Sequence, residues 1–139
     1  MASPTSELWA GVRDVLLANA PLMAMIDAVY DKEPKNPWKG KSAHISRGPV
    51  YGTDDSADCI AGSEIILQLD IWSRKPSRHS CDDILFAAKR AVEAADIQLP
   101  SFGLVDINVV LWRVIDDPDP LTQHGILQFA AMIEEAVED

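Results

Sequence analysis

Acid–base chemistry in this chain would depend on a few imidazole groups, which lie far apart in the sequence: His44, His79 and His124. His124 is the strongest catalytic candidate, because three aspartates stand shortly before it: Asp116, Asp117 and Asp119. Aspartates next to prolines, however, usually form turns. We therefore interpret the histidines as surface or turn residues. A small cytosolic acid–base enzyme that uses His124 stays as an alternative.

A second acidic group, Asp54, Asp55 and Asp58, raises the question of a hard metal cation. An EF-hand loop would also need a central glycine and a terminal glutamate at set positions, and both are missing. The sequence has no zinc-type spacing of cysteine and histidine and no glycine-rich phosphate motif. We therefore expect a solvated acidic loop, no catalytic residue, no metal site and no cofactor.

Charge and composition argue against several further classes of protein. The chain has 139 residues and a net charge of -10, which disfavours tight binding to a phosphate backbone. No apolar run reaches the roughly 18 residues of a membrane span, and the N-terminus does not resemble a signal peptide. Cys59 and Cys81 form no C-x-x-C pair, so we interpret both as ordinary thiols.

Hydrophobic periodicity predicts two main helices. Residues 7–18 and 77–96 each have apolar side chains at helical spacing, and the second segment is rich in alanine. Ser6 is the expected N-cap of the first helix and Ser77 or Ser80 that of the second. A short additional helix is expected over 21–27.

Five further segments have the composition of strands: 29–31, 43–52, 63–74, 104–115 and 122–133. Gly48-Pro49 interrupts the second segment, which predicts an edge strand or a bulge. The last two are joined by a short turn and should be antiparallel. We predict one α+β domain, 1–139, with a mainly antiparallel sheet of about four to five strands and helices packed on one face. Residues 32–62 are expected to be mobile and the tail, 134–139, to fray.

Large apolar side chains lie on both predicted faces of the long strands. In 63–74, Ile66 and Trp72 alternate with the expected core residues, and in 104–115 the expected outer side carries Val110, Trp112 and Val114. Trp38 lies in a loop with four lysines, which could bind an acidic partner. Exposed apolar groups of this size need cover. We predict an oligomer whose interface includes these residues: Trp38, Ile66, Trp72, Val110 and Trp112.

Three stretches, taken in order, resemble one family. The first is an opening run made of Leu8, APL at 20–22, IDAVYD at 26–31, Pro34 and Pro37. The second is QLDIWSR at 68–74 and the third is DDPDPLTQHGILQF at 116–129. Their order and spacing over 7–133 are similar to the phage tail-completion or tail-terminator-like family of siphophages and gene transfer agents. The connection at 38–62 is longer than in many members.

The resemblance implies an α+β subunit of a homo-oligomeric ring, commonly a hexamer. Such a ring caps the head-proximal end of a tail tube, stops tube polymerisation and joins the tail to the head. The implied partners are other copies, the major tail tube protein and a head–tail connector or neck protein. DNA only passes through the lumen, and no membrane is involved. The implied location is the virion tail, assembled in the bacterial cytoplasm, and no enzyme activity is implied.

A neck or head–tail connector subunit is the alternative within virion assembly. Such subunits have a similar size and a similar sheet-plus-helix architecture. Binding to tail tubes rather than to portal complexes would separate the two functions.

Overall fold

The computed structural model describes residues 2–54 and 61–135, so Asp55, Asp58 and Cys59 lie outside its range. In chain order the elements are α1 (Pro4–Ala18), α2 (Ala20–Met23), β1 (Val29–Tyr30), β2 (Ala43–Asp54), β3 (Gly62–Ser73), α3 (Arg78–Ala94), β4 (Phe102–Asp116) and β5 (Gln123–Glu135). The strands of the described residues form one sheet in the order β1-β2-β3-β5-β4. Only the β1–β2 pairing is parallel. The predicted α+β fold with a mainly antiparallel sheet is confirmed.

Each helix begins at a side chain that satisfies a free backbone N–H group. The Oγ of Ser3 accepts a hydrogen bond from the N–H of Ser6 at 3.1 Å, so α1 begins before the predicted cap at Ser6. Asn19 ends α1 and caps α2, with its Oδ1 accepting from the N–H of Leu22 at 3.0 Å. α2 has only 4 residues and is shorter than predicted. Ser77 caps α3, as predicted.

The core lies between the helices and the inner face of the sheet, which we call the helix face. Alternation in β3 places four buried side chains there: Ile65, Leu67, Leu69 and Ile71. β5 adds Leu127, Phe129, Ala131 and Ile133. The helices contribute Leu8, Val12, Leu16, Ile84, Leu85 and Ala88. Each fully buried large aliphatic side chain stabilises the fold by roughly 1.5–3 kcal/mol. The predicted core face of β3 is therefore correct.

Strand β2 bends at Gly48-Pro49, where its pairing register with β3 shifts. This matches the interruption predicted from the proline, which has no N–H to donate to a sheet ladder. β1 pairs only with the first half of β2, at Ile45 and Ser46. The half of β2 after the bulge therefore forms an outer edge of the described sheet.

Strand β4 does not follow the strict alternation that the sequence suggested. Its register with β5 shifts twice, between Leu104 and Asp106 and between Val109 and Leu111. Each bulge inserts one extra residue and reverses the facing of the residues after it. Trp112 consequently lies opposite buried Leu127, on the helix face. The prediction that Val110, Trp112 and Val114 share the outer side is wrong for this reason, since Val114 also lies on the helix face, opposite Gly125.

Much of the region predicted to be mobile, 32–62, is sheet, because β2 occupies residues 43–54. The tail predicted to fray from 134 begins inside β5, where Glu134 lies opposite Gly62 of β3 and Gly103 of β4. Residues 55–60 and 136–139 lie outside the described range. Mobility of 32–42 stays a prediction.

The thiol of Cys81 is enclosed between α3 and the sheet. Burial raises its pKa to about 12, and the nearby charge of Asp82 adds to the rise. Its Sγ lies 3.8 Å from the carbonyl oxygen of Ile71, to which it donates. Cys81 is therefore a protonated structural thiol, as interpreted from the sequence. Across the described residues, no helix is both long and apolar enough to span a membrane.

Replacing Gly125 by alanine tests how tightly α3 packs on the sheet. A Cβ there would lie 3.2 Å from Cys81 Sγ, Ile71 Cβ and Leu85 Cδ1. We expect Gly125→Ala to lower the free energy of unfolding by about 1–3 kcal/mol, because the added methyl must push its neighbours apart. Urea unfolding measures the loss. Gly52→Ala is the control, since its Cβ would make ordinary contacts at 3.5 and 3.6 Å, and equal stability of the two variants would contradict this packing.

Asp27, in the connection between α2 and β1, holds the start of β2 in place through its carboxylate. Its Oδ2 accepts from the N–H of Ser42 at 2.8 Å and of Ala43 at 3.1 Å. These bonds, that of Ser42 first, hold the pKa of Asp27 below its usual 3.8. We expect Asp27→Ala to cost about 1 kcal/mol of unfolding free energy at neutral pH.

Because the folded-state pKa of Asp27 is lowered, its contribution is complete above the unfolded-state pKa and is lost as pH falls through the folded-state value. Urea midpoints of wild type and Asp27→Ala should therefore converge below about pH 4. A difference that persists unchanged in acid would show that the carboxylate charge is not the cause. Asp14→Ala, at an exposed position on α1, is the control and should not destabilise the protein.

Candidate functional site

The open face of the sheet, opposite the helices, carries a polar cluster around His124 of β5. The Nε2 of His124 lies 2.7 Å from Oδ1 of Asp70 on β3. The imidazole stacks on Trp72, with ring centroids 3.9 Å apart and an interplanar angle of 11°. The β3–β5 register places His124 directly opposite Trp72. The carboxylate partner of His124 is thus Asp70, and not the turn aspartates that precede it in the sequence.

Neighbouring amides and a hydroxyl hold this cluster in place. Gln68 Nε2 donates to Asp70 Oδ1 at 2.8 Å, and Gln128 Nε2 donates to Gln68 Oε1 at 2.8 Å. Trp72 Nε1 donates to Ser46 Oγ at 3.0 Å. A buried carboxylate needs donors of this kind, and a satisfied network fixes the register of its strands. The geometry gives the Asp70 pair a structural role within the sheet.

The lysine-rich segment 32–42 is held at one end of the sheet through Trp38. The guanidinium carbon of Arg74 lies 4.4 Å from the centroid of the Trp38 ring. Arg74 also donates from Nη2 to Asp119 Oδ2 at 2.9 Å and from Nε to Thr122 Oγ1 at 3.2 Å. One arginine thereby connects segment 32–42 to the β4–β5 turn, because a planar guanidinium can stack and donate at the same time.

His44 packs against the Trp38 ring as well. Its side chain is fully buried, so its predicted surface position is wrong, whereas His79 is exposed as predicted. His44 Nε2 lies 3.0 Å from Glu33 Oε1, and its ring lies 4.7 Å from that of Trp38. Its Nδ1 has no hydrogen-bond partner among the described residues. A cavity of 290 Å³ is lined here by Glu33, Trp38, His44, Trp72, Arg74, Asp117, Asp119 and Thr122.

The outer edge of β4 forms a different kind of surface. Among the described strands β4 pairs only with β5, so its other side presents unpaired backbone groups. Large apolar side chains are exposed along it: Val105, Val110, Leu111, Trp112 and Ile115. Trp112 is 58% exposed and Val110 is 54% exposed. A long apolar edge is a template for another chain, and proteins that stay monomeric usually protect it.

Helix α3 extends this edge with a second exposed ring. Phe86 is 50% exposed. Lys89 lies between the two rings, with its Nζ 5.6 Å from the centroid of Phe86 and 5.5 Å from that of Trp112. The guanidinium carbon of Arg90 lies 4.9 Å from the Phe86 ring. Cations over ring faces are attracted by the quadrupole and keep the rings at the surface. We call Phe86, Lys89, Arg90, Val110 and Trp112 the β4 patch.

The five predicted interface residues fall into separate places. Trp38 and Trp72 come together in the 290 Å³ cavity. Val110 and Trp112 lie on the β4 patch at the sheet edge. Ile66 is half-buried on the open face, opposite Ala130 of β5 and apart from both regions. Their role in an interface stays a prediction.

The sequence analysis missed Phe86 as a surface group. A signal was present, because Phe86 falls outside the apolar positions that pack α3 on the sheet: Cys81, Ile84, Leu85, Ala88, Ala91 and Val92. An aromatic residue off the buried stripe of an amphipathic helix calls for a separate explanation. Its contact with Trp112 through Lys89 could not be foreseen, since the bulges in β4 determine which way Trp112 faces.

Satisfied polar networks inside the sheet and exposed apolar groups along its edge are typical of a subunit that assembles with other chains. Within the described residues, no group of His, Cys, Asp or Glu could hold a metal ion. The fold, together with its exposed apolar strand edge, defines the class of a structural assembly protein. The chain belongs to the family of tail completion protein gp17, whose family model matches residues 10–134.

Membership in this family makes the chain a structural component of a phage-like virion tail and not an enzyme, as the sequence predicted. In that setting it contacts other virion proteins. The alternative of an enzyme that uses His124 is excluded by the family, and the observed His124–Asp70 pair has the structural role described above.

Two solved structures share the fold. A chain in the virion of a native gene transfer agent particle aligns with a TM-score of 0.86 at 24% identity, covering 96% of this chain and 99% of that one. The gp17 protein of bacteriophage SPP1 aligns with a TM-score of 0.61 at 20% identity, covering 97% and 91%. A comparison with curated proteins finds no match. Both alignments cover nearly the whole of this chain.

Removing Arg74 should loosen segment 32–42, because it deletes the stack on Trp38 and both hydrogen bonds to the β4–β5 turn. We expect Arg74→Ala to raise amide hydrogen exchange in 32–42 by about tenfold, which corresponds to about 1.4 kcal/mol of local stability. Arg78→Ala is the matched control, since Arg78 makes a single exposed ion pair, to Asp116 at 2.9 Å. Unchanged exchange in Arg74→Ala would mean that the segment is held by other contacts.

Proposed function

We propose that the chain is a tail terminator. In this proposal six copies form a ring on the head-proximal end of a tail tube, stop further addition of tube subunits and present a surface to the head connector. The observation that carries the proposal is the unpaired apolar edge at β4, together with a second, different edge at β2 on the far side of the same sheet.

Two different edges on opposite sides of one sheet suit a ring. In a cyclic assembly each copy contributes one surface to the preceding neighbour and another to the following one, so the two surfaces differ. A two-fold dimer would instead use one self-complementary surface. The sheet order β1-β2-β3-β5-β4 supplies the separation that a ring requires.

Charge supports a lumen through which DNA passes. The net charge of -10 makes the chain as a whole repel phosphate groups. A channel lined by such subunits would let DNA slide without sticking. DNA is therefore proposed as a passing molecule, and the lasting partners are other copies, the major tail tube protein and a head–tail connector or neck protein.

The family and the neighbouring structures support this setting. The family description names tail completion, and one structural neighbour is part of a gene transfer agent particle. A tail terminator of a siphophage or of a gene transfer agent fits both. A neck subunit is the competing function. It would bind the portal complex, whereas a terminator would bind the tail tube.

Binding to purified tail tubes tests the proposal. Tubes assembled from the major tail protein should acquire the chain at one end only and should stop growing when it is present, as seen by negative-stain microscopy and by length distributions. Annular particles of the chain should appear at tube ends.

The same experiment with purified portal complexes is the control. Binding to portal complexes without binding to tubes would replace the terminator by a neck subunit. Tubes that lengthen equally with and without the chain would overturn the proposal.

A further inference from the structure

We infer that the β4 patch of one copy receives the β2–β3 hairpin of the next copy, through the exposed side chains of Tyr51, Thr53 and Glu64. We call these three residues the hairpin patch. The inference rests on the proposed ring and names the two surfaces that close it.

The β4 patch is apolar with a cationic rim. Its two rings, Phe86 and Trp112, are at least half exposed, and Lys89 and Arg90 lie against them. Lys89 is also ion-paired with Glu93 at 2.9 Å, so Arg90 is the cation of the patch that is best placed to meet a partner. Aromatic and arginine side chains are the groups most enriched in protein–protein interfaces, where rings fill the centre and charges form the rim.

The hairpin patch has complementary chemistry. Tyr51 is 60% exposed and lies opposite Ile66, and Thr53 lies opposite Glu64 in the β2–β3 register. The sequence has no lysine or arginine between Arg47 and Arg74. An exposed phenol ring beside a carboxylate, with no lysine or arginine between Tyr51 and Glu64 in the sequence, suits a partner that presents rings and a cation.

The position of the two patches favours a second copy as the occupant. β2 and β4 lie on opposite sides of one sheet, with β3 and β5 between them. A contact between them in trans therefore leads from each copy to the next in one direction. Two β4 patches facing each other would instead form a closed two-fold pair, which cannot extend into a ring.

Complementation between two variants tests the inference. Trp112→Asp disables the β4 patch, and Tyr51→Asp disables the hairpin patch. Size-exclusion chromatography with light scattering should show that each variant alone is a monomer under conditions in which the wild type assembles. An equal mixture should give a dimer that is held by the one intact pair of patches and cannot grow into an annulus.

Leu17→Asp is the matched control, because Leu17 is an exposed apolar residue on α1 outside both patches and should leave assembly unchanged. Thermal unfolding first verifies that all three variants are folded. Wild-type-like rings from either variant alone, or no dimer in the mixture, would overturn the inference. Loss of assembly in Trp112→Asp with normal assembly in Tyr51→Asp would also overturn it, since that pattern indicates contact between two β4 patches.

Failure of this inference and failure of the proposed function give different results. If both variants still cap tail tubes, the terminator function stands and the named surfaces are wrong. If the wild type neither assembles nor caps tubes, the proposed function itself fails.

Discussion

The helices pack on one face of the sheet only. The opposite face and the outer edge of β4 are therefore left uncovered by the same chain, and the other features of the molecule depend on this constraint. The open face is made compatible with water by polar side chains that satisfy one another, centred on Asp70 and His124. The edge of β4 is different, because valines, leucine, isoleucine and tryptophan are exposed along it among a few polar residues. The two uncovered regions therefore have different chemistry, and only the edge has the composition of an interface.

The polar networks also explain why ionisable residues in this chain do not form a catalytic centre. Asp70, His124 and Gln68 use their hydrogen-bonding atoms on each other, and His44 is enclosed between Glu33 and two aromatic rings. Such networks fix strand register, since a one-residue slip would leave a buried carboxylate without its donors. In the proposed ring, register matters because both outer edges of the sheet would present specific side chains to a neighbour.

Where local periodicity decides a structure, the sequence was sufficient: the alternation in β3 and the apolar stripe of α3 predicted the core correctly. Gly48-Pro49 predicted the irregularity in β2, because proline has no N–H to donate to the sheet. The bulges in β4 carry no such marker, so the facing of Trp112 could not be predicted. The pairing of Asp70 with His124 depends on a register between strands that are distant in sequence. The same holds for the contact of Arg74 with Trp38, which joins two separate connections.

The two outer edges of the sheet differ, so neither edge is suited to pair with a copy of itself. β2 is broken by a proline bulge and partly covered by β1, so a second β2 cannot pair with it along its length. β4 is long, but its two bulges interrupt the regular ladder that pairing with an identical edge would need. Pairing of either edge with its own copy along the whole strand is therefore disfavoured, by the proline bulge and β1 at β2 and by the two bulges at β4. Contact between unlike edges is then the favoured arrangement, and such heterologous contacts build a closed ring, or an open filament where the rotation does not close.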